Sequence, residues 1–290
     1  MKEDKIEILK NKIDFAVVLT VDKANPNGDP NSGNCPRIDL DGFGEMSDVC
    51  IKRKIRNRLQ DFGLEIFVQT QDRSEDGFLS LKSRARAYEP LHKALSKKGD
   101  ADLDLCTKLA SEKWADVRFF GQVFSMYKNT TAASFGIRGP VSITMARSLE
   151  YVNIIDSART TSQNLTKDTI EKENNTFYTK QFVDKGAYVF YGGVFPQLAK
   201  KTGFSTADAE LLKECLLTLL ENDVSAARPI GSMTVASVYW WEQEPTPGRK
   251  QQPPIALYRS LNLTARKEYP YFTADIADVG GLTPDVVTLF

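Results

Sequence analysis

Two stretches near the start of the chain decide the fold: FAVVLTVDKANPNGDP at residues 15–30 and SDVCIKRKIRNRLQDFG at residues 47–63. The first begins with an apolar, β-branched run, Phe15 to Val21, which predicts a buried strand. It ends in a loop rich in Asn, Gly and Pro. The second stretch carries four apolar residues that fall on one stripe of a helix: Ile51, Ile55, Leu59 and Phe62. The chain therefore begins with a strand, a long polar loop and an amphipathic helix.

The helix has clear end signals and an unusual concentration of charge. Ser47 is a good N-cap, Asp48 suits the positive end of the helix dipole, and Gly63 is a natural terminator. Five cations lie within seven residues: Lys52, Arg53, Lys54, Arg56 and Arg58. A solvated basic face is the commoner explanation of such a run. However, no acid lies between Lys52 and Gln60 to form pairs along the helix, so we expect these cations to face a phosphate backbone.

Composition places the chain among ordinary globular proteins, with 290 residues, 41% hydrophobic and 26% charged. Because 38 basic residues balance 38 acidic ones, any contact with nucleic acid must come from local clustering. The four cysteines contain no Cys-x-x-Cys pair, which disfavours structural zinc and a disulfide framework. No apolar run approaches the roughly 18 residues of a membrane helix. We expect a cytoplasmic protein that needs no membrane and no cofactor.

The rest of the chain alternates between helical and strand patterns. A strand is predicted at Glu65–Thr70, and helical spacing marks Leu81–Lys97 and Leu103–Phe119. Further along, a turn at 135–140, alternating strands at Val141–Val152 and Ala187–Phe195, a helix capped by Ser205 at 205–220, and strands at Met233–Trp241 and Ile255–Leu263 are predicted. The polar segment 154–182 has too few apolar residues to bury itself and predicts a projecting hairpin or arm.

In order, these elements contain a ferredoxin-like βαββαβ core, so we predict an α+β fold similar to an RNA-recognition motif. Two helices should cover one face of the sheet and leave the other open, and an open face of this kind binds single-stranded RNA in other proteins. We expect one decorated domain, 1–290, with a mainly helical insertion at 71–134 and the hairpin at 153–183. Of the adjacent Trp240 and Trp241, at most one should be free to stack a base, because neighbouring strand residues face opposite ways.

The chain has few residues for classical enzyme chemistry. His92 is its only histidine, and no phosphate-binding glycine motif follows a predicted strand. Three loop carboxylates, Asp29, Asp39 and Asp41, keep a metal-dependent reaction open. Aspartates in such loops more commonly form side-chain turns to their own backbone.

Several other polar residues are candidate RNA contacts. Arg138 lies in a predicted turn between Gly136 and Gly139, where it could meet phosphate or simply solvent. The projecting arm carries Arg159, Thr160, Thr161, Gln163 and Asn164, whose side chains are of the kinds that contact sugars and phosphates.

Six segments together resemble one known family. They are NPNGDP at 25–30, GNCPRID at 33–39, DVCIKRKIRN at 48–57, FGIRGPVSI at 135–143, YGGVF at 191–195 and SAARP at 225–229. The resemblance is to the repeated backbone subunit of type I CRISPR surveillance complexes (Cascade), in particular the type I-C form, a member of the RAMP superfamily. One departure is Gln243, which stands where family members often have a histidine.

The resemblance implies a ferredoxin-like palm, helical fingers and a hairpin thumb, in a protein whose copies polymerise along guide RNA and leave its bases to pair with target DNA. Its expected partners are CRISPR guide RNA, target DNA, further copies of itself and other Cascade subunits. Such a subunit is not an enzyme, but related type III subunits cut RNA with a loop aspartate, so a metal-dependent endoribonuclease is the alternative. The expected RNA-binding residues are Asn25, Asn27, Arg37, Lys52, Arg53, Arg56, Arg138, Arg159, Thr160, Thr161, Gln163, Asn164 and Arg228.

Overall fold

A computed structural model describes residues 7–96, 102–124, 135–160, 177–248 and 250–289. Its strands are β1 (Lys12–Ala24), β2 (Gly28–Asp29), β3 (Cys35–Pro36), β4 (Phe43–Met46), β5 (Gly121–Phe124), β6 (Phe135–Arg138), β7 (Val141–Ile143), β8 (Ala146–Tyr151), β9 (Ile154–Thr160), β10 (Phe177–Val194), β11 (Met233–Gln243), β12 (Leu261–Ala265), β13 (Phe272–Ile276) and β14 (Asp285–Thr288). Its helices are α1 (Asp48–Asp61), α2 (Leu81–Ala87), α3 (Glu89–Ser96), α4 (Leu103–Lys113), α5 (Ala115–Phe120), α6 (Pro196–Thr202), α7 (Thr206–Leu217) and α8 (Pro254–Ser260).

The central sheet is antiparallel, with strand order β14-β11-β1-β10-β8-β4, and β7 and β9 also pair with β10. Strand β1 lies in the middle, with β10 on one side and β11 on the other. Helix α1 follows β1 and helix α7 follows β10, so β11, β1, β10 and β8 stand in the order fourth, first, third, second of a βαββαβ core. The predicted α+β, ferredoxin-like fold class is confirmed.

Helices α1 and α7 cover one face of this sheet. Alternate residues of β1, including Phe15, Val17 and Leu19, are buried against α1. Three residues of the predicted stripe are buried there, Ile51, Ile55 and Leu59. Phe62, the fourth, is 40% exposed and caps the end of the helix, so its assignment to the buried stripe is wrong. The predicted caps are present as well: the Ser47 hydroxyl accepts a hydrogen bond from the Cys50 N–H, and Ser205 and Asp208 form a capping box at the start of α7.

The second face of the sheet is covered, so the prediction of an open face is wrong. Residues of α8, β12 and β13, among them Leu257 and Phe272, pack on Ala16 and Val18 of β1. Trp240 and Trp241 are both buried as well, one on each face of the sheet. Trp240 stacks on Phe15 with ring centroids 5.6 Å apart, and Trp241 lies in the core under α8, so neither is free to stack a base.

Three local predictions differ from the structure. Residues 65–70 form no strand, because the N–H groups of Phe67 and Val68 donate to the Asp116 carboxylate instead of a neighbouring strand. The predicted turn at 135–140 contains β6, which pairs with β5. The predicted strand at 255–263 begins as helix α8, with Pro254 in its first turn, and only its end is β12.

Helices α2 to α5 enclose a separate apolar cluster around Phe67, Trp114 and Phe124. The backbone comes unusually close at Gly121 and Gly139, where an added Cβ on Gly121 would lie 2.1 Å from the Ile137 carbonyl oxygen. The described parts of the polar segment, 154–160 and 177–182, form the base of a hairpin, with β9 paired to β10 from Ile154 opposite Val183 to Thr160 opposite Phe177. All four cysteines are free thiols. Within the ranges described, no helix is both long and apolar enough to span a membrane.

Candidate nucleic-acid interface

The ends of the three central strands meet at one end of the sheet. Ala24 at the end of β1 pairs with Val183 of β10, and Val21 pairs with Met233 at the start of β11. Three polar segments therefore leave the sheet side by side: the loop at 25–37, the loop at 223–232 and the hairpin formed by β9 and β10. The Asn25 N–H joins the first two by donating to the Ala227 carbonyl at 2.8 Å.

Two of the predicted contacts, Asn25 and Asn27, help to build the loop itself. Asn25 is buried, and its Nδ2 donates to the Asn34 carbonyl at 2.7 Å. Asn27 Oδ1 accepts from the Ser47 N–H at 2.9 Å and from the Ser47 hydroxyl at 3.0 Å. The loop is thereby fixed to the N-terminus of α1, where Asn27 takes the place that an anion would otherwise occupy.

A groove of about 300 Å³ lies between the loop and the base of the hairpin. Its walls include Asn25, Asn34 and Ala227 on one side and Gln181 on the other. Gln181 joins the two walls, because its Oε1 accepts from the Cys35 thiol and its Nε2 donates to Asp156 at 2.9 Å. Sequence reasoning missed Gln181, and the signal that could have found it is the pairing register that sets it opposite Asp156.

The loop at 25–37 contains two buried hydrogen-bonding atoms without a partner among the described residues, one of them on a residue that lines the groove. Asn25 Oδ1 and Arg37 Nε are buried and have no hydrogen-bond partner within the described part of the chain. The Arg37 side chain is 36% exposed, and its one ion pair, to Asp29, is long at 3.5 Å. Buried polar groups without partners are rare in folded proteins, and Asn25 is such a residue in the wall of the groove. Arg228 borders the same region but is held by Asp223, with Nε 2.7 Å from Oδ2.

Helix α1 departs most from expectation, because its cations are neutralised within the molecule. Lys54 and Arg58 are buried, Lys54 against Asp223 and Arg58 against Asp61 and Glu221. Arg56 donates to the buried Asp116 at 2.9 Å. The prediction of an unneutralised basic surface on this helix is wrong. Sequence reasoning missed the reason, since Asp116 and Asp223 are distant in the chain and leave no local signal.

The two remaining cations of α1 are also engaged. Lys52 Nζ lies 2.9 Å from Asp48 Oδ2, one helical turn away. Arg53 Nη1 donates to the Val68 carbonyl at 2.7 Å, and burial, with a smaller effect of neighbouring Arg56, lowers the pKa of Arg53. RNA binding by Lys52, Arg53 and Arg56 stays a prediction, and RNA would have to displace an internal partner at each of them.

The loop aspartates make side-chain turns. Asp29 Oδ1 accepts from the Asn31 N–H at 3.1 Å, and Asp39 Oδ1 accepts from the Asp41 N–H at 2.9 Å, which confirms the prediction that Asp29 and Asp39 turn onto their own backbone. Desolvation raises the pKa of Asp39, but hydrogen bonds from the Phe43 N–H and from Arg147 outweigh it and hold that pKa below its usual value. No group of three or more His, Cys, Asp and Glu residues in the described ranges is arranged to hold a metal ion.

The other predicted contacts do not meet at this groove. Arg138 is exposed on β6, near Pro140, whose carbonyl accepts from the Phe195 N–H just beyond the far end of β10. At about 3.3 Å per strand residue, roughly 35 Å separate that end from the groove. Arg159 and Thr160 lie on β9, at the outer part of the hairpin. Thr161, Gln163 and Asn164 lie outside the described residues.

The structure defines a ferredoxin-like α+β protein in which the polar loops at 25–37 and 223–232 lie side by side at one end of a sheet covered on both faces. The sequence profile of CRISPR-associated protein Cas7 matches residues 11–276. The chain belongs to the Cas7 family.

One curated relative and chains of two solved structures are similar to this protein. The CRISPR-associated protein Cas7 of Haloferax volcanii is 26% identical over 237 residues, which cover 76% of this chain and 67% of the relative. A chain of a solved CRISPR RNA-guided surveillance complex, pre-nicking, is 15% identical with a TM-score of 0.51, covering 83% of this chain and 79% of that chain. That likeness shows a shared fold. A chain of a second CRISPR RNA-guided surveillance complex is 14% identical with a TM-score of 0.47, covering 83% of this chain and 71% of that chain.

Proposed function

We propose that this protein binds CRISPR guide RNA independently of its sequence and forms, with further copies of itself, the backbone of a type I-C Cascade complex. In this role it holds the guide so that its bases pair with target DNA, and it performs no chemistry itself. Other Cascade subunits would bind the two ends of the row of copies. The proposal places the protein in the cytoplasm, with the guide.

The observation that carries the proposal is the groove between the loop at 25–37 and the base of the hairpin. Its walls offer main-chain and amide groups, and the partly exposed Arg37 lies in the same loop. Groups of these kinds contact sugar and phosphate in other proteins without reading bases. Guide sequences differ, so a protein that holds all of them must rely on contacts of this kind. The hairpin rises directly from the groove, where Arg159, Thr160 and the outer arm would extend the contact along the strand.

The alternative, a metal-dependent endoribonuclease, would use Asp29, Asp39 or Asp41. Two of these carboxylates already accept backbone hydrogen bonds, and Asp39 also receives two from Arg147, at 2.8 and 2.9 Å. Within the described residues these carboxylates are not part of a group of three or more that could hold a metal ion. The geometry favours the binding protein over the nuclease.

Binding of fluorescent single-stranded RNA by the wild-type protein and by Arg37→Ala tests the proposal. Loss of this cation should weaken binding to all RNA sequences alike and reduce the slope of log affinity against log salt by about one unit. The matched control is Arg86→Ala, which removes an exposed arginine from α2 and should leave affinity and slope unchanged. Equal effects of the two variants, or losses that depend on RNA sequence, would contradict the proposal.

A second assay separates the two candidate functions. The wild-type protein is incubated with labelled RNA and Mg²⁺, and the products are compared with those of Asp39→Asn. Intact RNA in growing oligomers supports the backbone subunit. Cleavage that disappears in the Asp39→Asn variant would establish the nuclease instead.

A further inference from the structure

The hairpin extends beyond the last residue pair between β1 and β10. Strand β1 pairs with β10 as far as Val183, and residues 177–182 continue past that point paired with β9. A two-stranded ribbon is only marginally stable by itself. The angle at which the hairpin leaves the sheet therefore depends on side-chain contacts at its base.

The loop at 25–37, which lies against the hairpin, is braced by its own hydrogen bonds. The Asn34 N–H donates to the Asp29 carbonyl at 2.8 Å, and Cys35 of β3 pairs with Asp29 of β2. Asn27 joins the loop to the start of α1 through Ser47. The Cys35 thiol is therefore a fixed point to which a neighbouring element can be attached.

The Gln181 side chain connects the hairpin to this fixed point. Its Oε1 accepts from the Cys35 thiol. Its Nε2 donates to Asp156 Oδ1 at 2.9 Å, and Asp156 lies directly opposite Gln181 on β9. One amide group thus links the loop to both strands of the hairpin, and we call this contact the amide bridge.

Of the side chains of this length, an amide suits the position best, because it needs one acceptor for the thiol and one donor for the carboxylate. A carboxylate at 181 could not donate to Asp156, and like charges directly opposite each other on neighbouring strands are destabilising. An apolar side chain would form neither hydrogen bond. The amide bridge can also be changed from its other end, since the Cys35 thiol is a weak donor.

The amide bridge spans the groove that lies between the loop and the hairpin. Thr179 and Gln181 line it from the hairpin, and Asn25 and Asn34 line it from the loop. A change in the angle of the hairpin would therefore change the distance between the two walls. A groove whose walls are already in place binds a ligand with a smaller loss of conformational entropy.

We propose that Gln181 is a positioning residue, which holds the base of the hairpin against the loop and so fixes the width of the groove. The inference rests on the proposed function in one respect, namely that the groove is occupied by RNA. The amide bridge itself is measurable without RNA.

Hydrogen exchange of the full-length protein without RNA tests the amide bridge, with mass spectrometry of peptides covering 154–160 and 177–183. Gln181→Met keeps the length of the side chain but loses both hydrogen bonds, so these peptides should exchange about fivefold faster. The urea midpoint should change little, because the hairpin base opens locally. The matched control is Gln197→Met, which replaces an exposed glutamine of α6 and should leave exchange in these peptides unchanged.

An exchange of donor and acceptor provides a rescue. Gln181→Glu should accelerate exchange at least as much as Gln181→Met, because the new carboxylate faces Asp156. Adding Asp156→Asn should restore slow exchange, since the new amide can donate to the new carboxylate and the Cys35 thiol can donate to its other oxygen. The net charge of this double variant equals that of the wild type.

Binding of fluorescent single-stranded RNA connects the amide bridge to the groove. Gln181→Met and Cys35→Ala should each weaken binding about fivefold for all RNA sequences alike, because RNA must then order the hairpin as it binds. Cys35→Ser keeps a donor for Gln181 and should bind like the wild type.

The outcomes separate this inference from the proposed function. Unchanged exchange in both Gln181→Met and Cys35→Ala, or no recovery in the double variant, would overturn the positioning role. Faster exchange with unchanged RNA affinity would also overturn it, since the width of the groove would then not matter to RNA. If the wild type bound no RNA, the proposed function would fail, and the exchange rates would still decide whether Gln181 holds the hairpin.

Discussion

Helix α1 and the loop at 25–37 lie next to each other at one end of the sheet, and they use their polar groups in opposite ways. The helix has the highest density of cations in this part of the chain, yet each of the five has a partner inside the molecule. The loop has few charges, but Arg37 and Asn25 each keep one hydrogen-bonding atom without a partner in the described part of the chain, and Asn25 lines a groove. The sequence thus gives the number of cationic side chains in a segment. The ion pairs of the folded protein decide how many of them remain available to a ligand.

The largest expected effect tests whether Arg56 is structural. Arg56→Ala leaves the Asp116 carboxylate buried without its cation, and breaking a buried pair in this way typically costs 3–5 kcal/mol. We expect a loss of about 3 kcal/mol in the free energy of unfolding, at the low end of that range, because Asp116 keeps the N–H donors of Phe67 and Val68. Urea denaturation measures it. If the Arg56→Ala variant bound RNA more weakly but unfolded like the wild type, Arg56 would face a ligand. The contrast between helix α1 and the loop at 25–37 would then be wrong.

A smaller loss is expected at Lys54, whose partner Asp223 is shared with Arg228. Lys54→Ala should cost about 2 kcal/mol, because the carboxylate keeps one of its two cations. Removing Lys54 and Arg228 together should cost more than the sum of the single changes, since Asp223 then has neither. A double-mutant cycle in urea checks this, and strict additivity would mean that the three residues do not form one unit.

Acid should weaken the contacts that the Asp61 carboxylate makes at the C-terminal end of α1. Desolvation raises the pKa of Asp61, but hydrogen bonds from Arg73, Asn222 and Arg58 outweigh it and leave the pKa below the ordinary 3.8. A lowered folded-state pKa stabilises the fold above pH 3.8, and this stabilisation is lost as the pH falls through the lower value. Unfolding free energies measured between pH 5 and about pH 2 should decline less steeply in Asp61→Asn than in the wild type. If the unfolding free energy fell equally steeply in the two proteins, Asp61 would not contribute to the loss of stability in acid.

The smallest effect is expected at Lys52, whose ion pair with Asp48 in the first turn of α1 is partly exposed on both sides. The side chains of Lys52 and Asp48 are both partly exposed, and such a pair contributes only about 0.3–0.5 kcal/mol. Lys52→Ala should therefore hardly change the unfolding midpoint. The salt dependence of RNA binding by the Lys52→Ala variant is the sharper test. Lys52 can exchange Asp48 for a phosphate at little cost in free energy. If Lys52→Ala reduced the slope of log affinity against log salt as much as Arg37→Ala does, the RNA interface would include the first turns of α1.

The fold could be predicted from local patterns because strand β1, the stripe of α1 and the Ser205 cap of α7 are each specified by neighbouring residues. The failures share a cause. The N–H groups of Phe67 and Val68 bond to Asp116, far along the chain, and no local pattern reports that. The covering of the second sheet face was missed for a similar reason, since α8 was predicted as part of a strand.

The candidate site was predictable in position but not in detail. The Asn, Gly and Pro composition of the loop correctly indicated turns formed by Asp29 and Asp39. The sequence could not show that Asn25 and Asn27 form hydrogen bonds that hold the loop itself together. Nor could it show that Gln181 joins the two walls of the groove. These contacts depend on which strands become neighbours. Charge was the most misleading signal, because the acids that neutralise Arg56 and Lys54 come from other elements.

The layer formed by α8, β12 and β13 has a consequence for any polynucleotide that this protein carries. Proteins with a bare sheet of this type hold nucleotides flat against it, with aromatic rings occupying the faces of the bases. Here that platform is sealed by Leu257, Leu261 and Phe272. A polynucleotide bound by this protein would therefore have to lie along the loops and the hairpin at the end of the sheet, and not flat on its face.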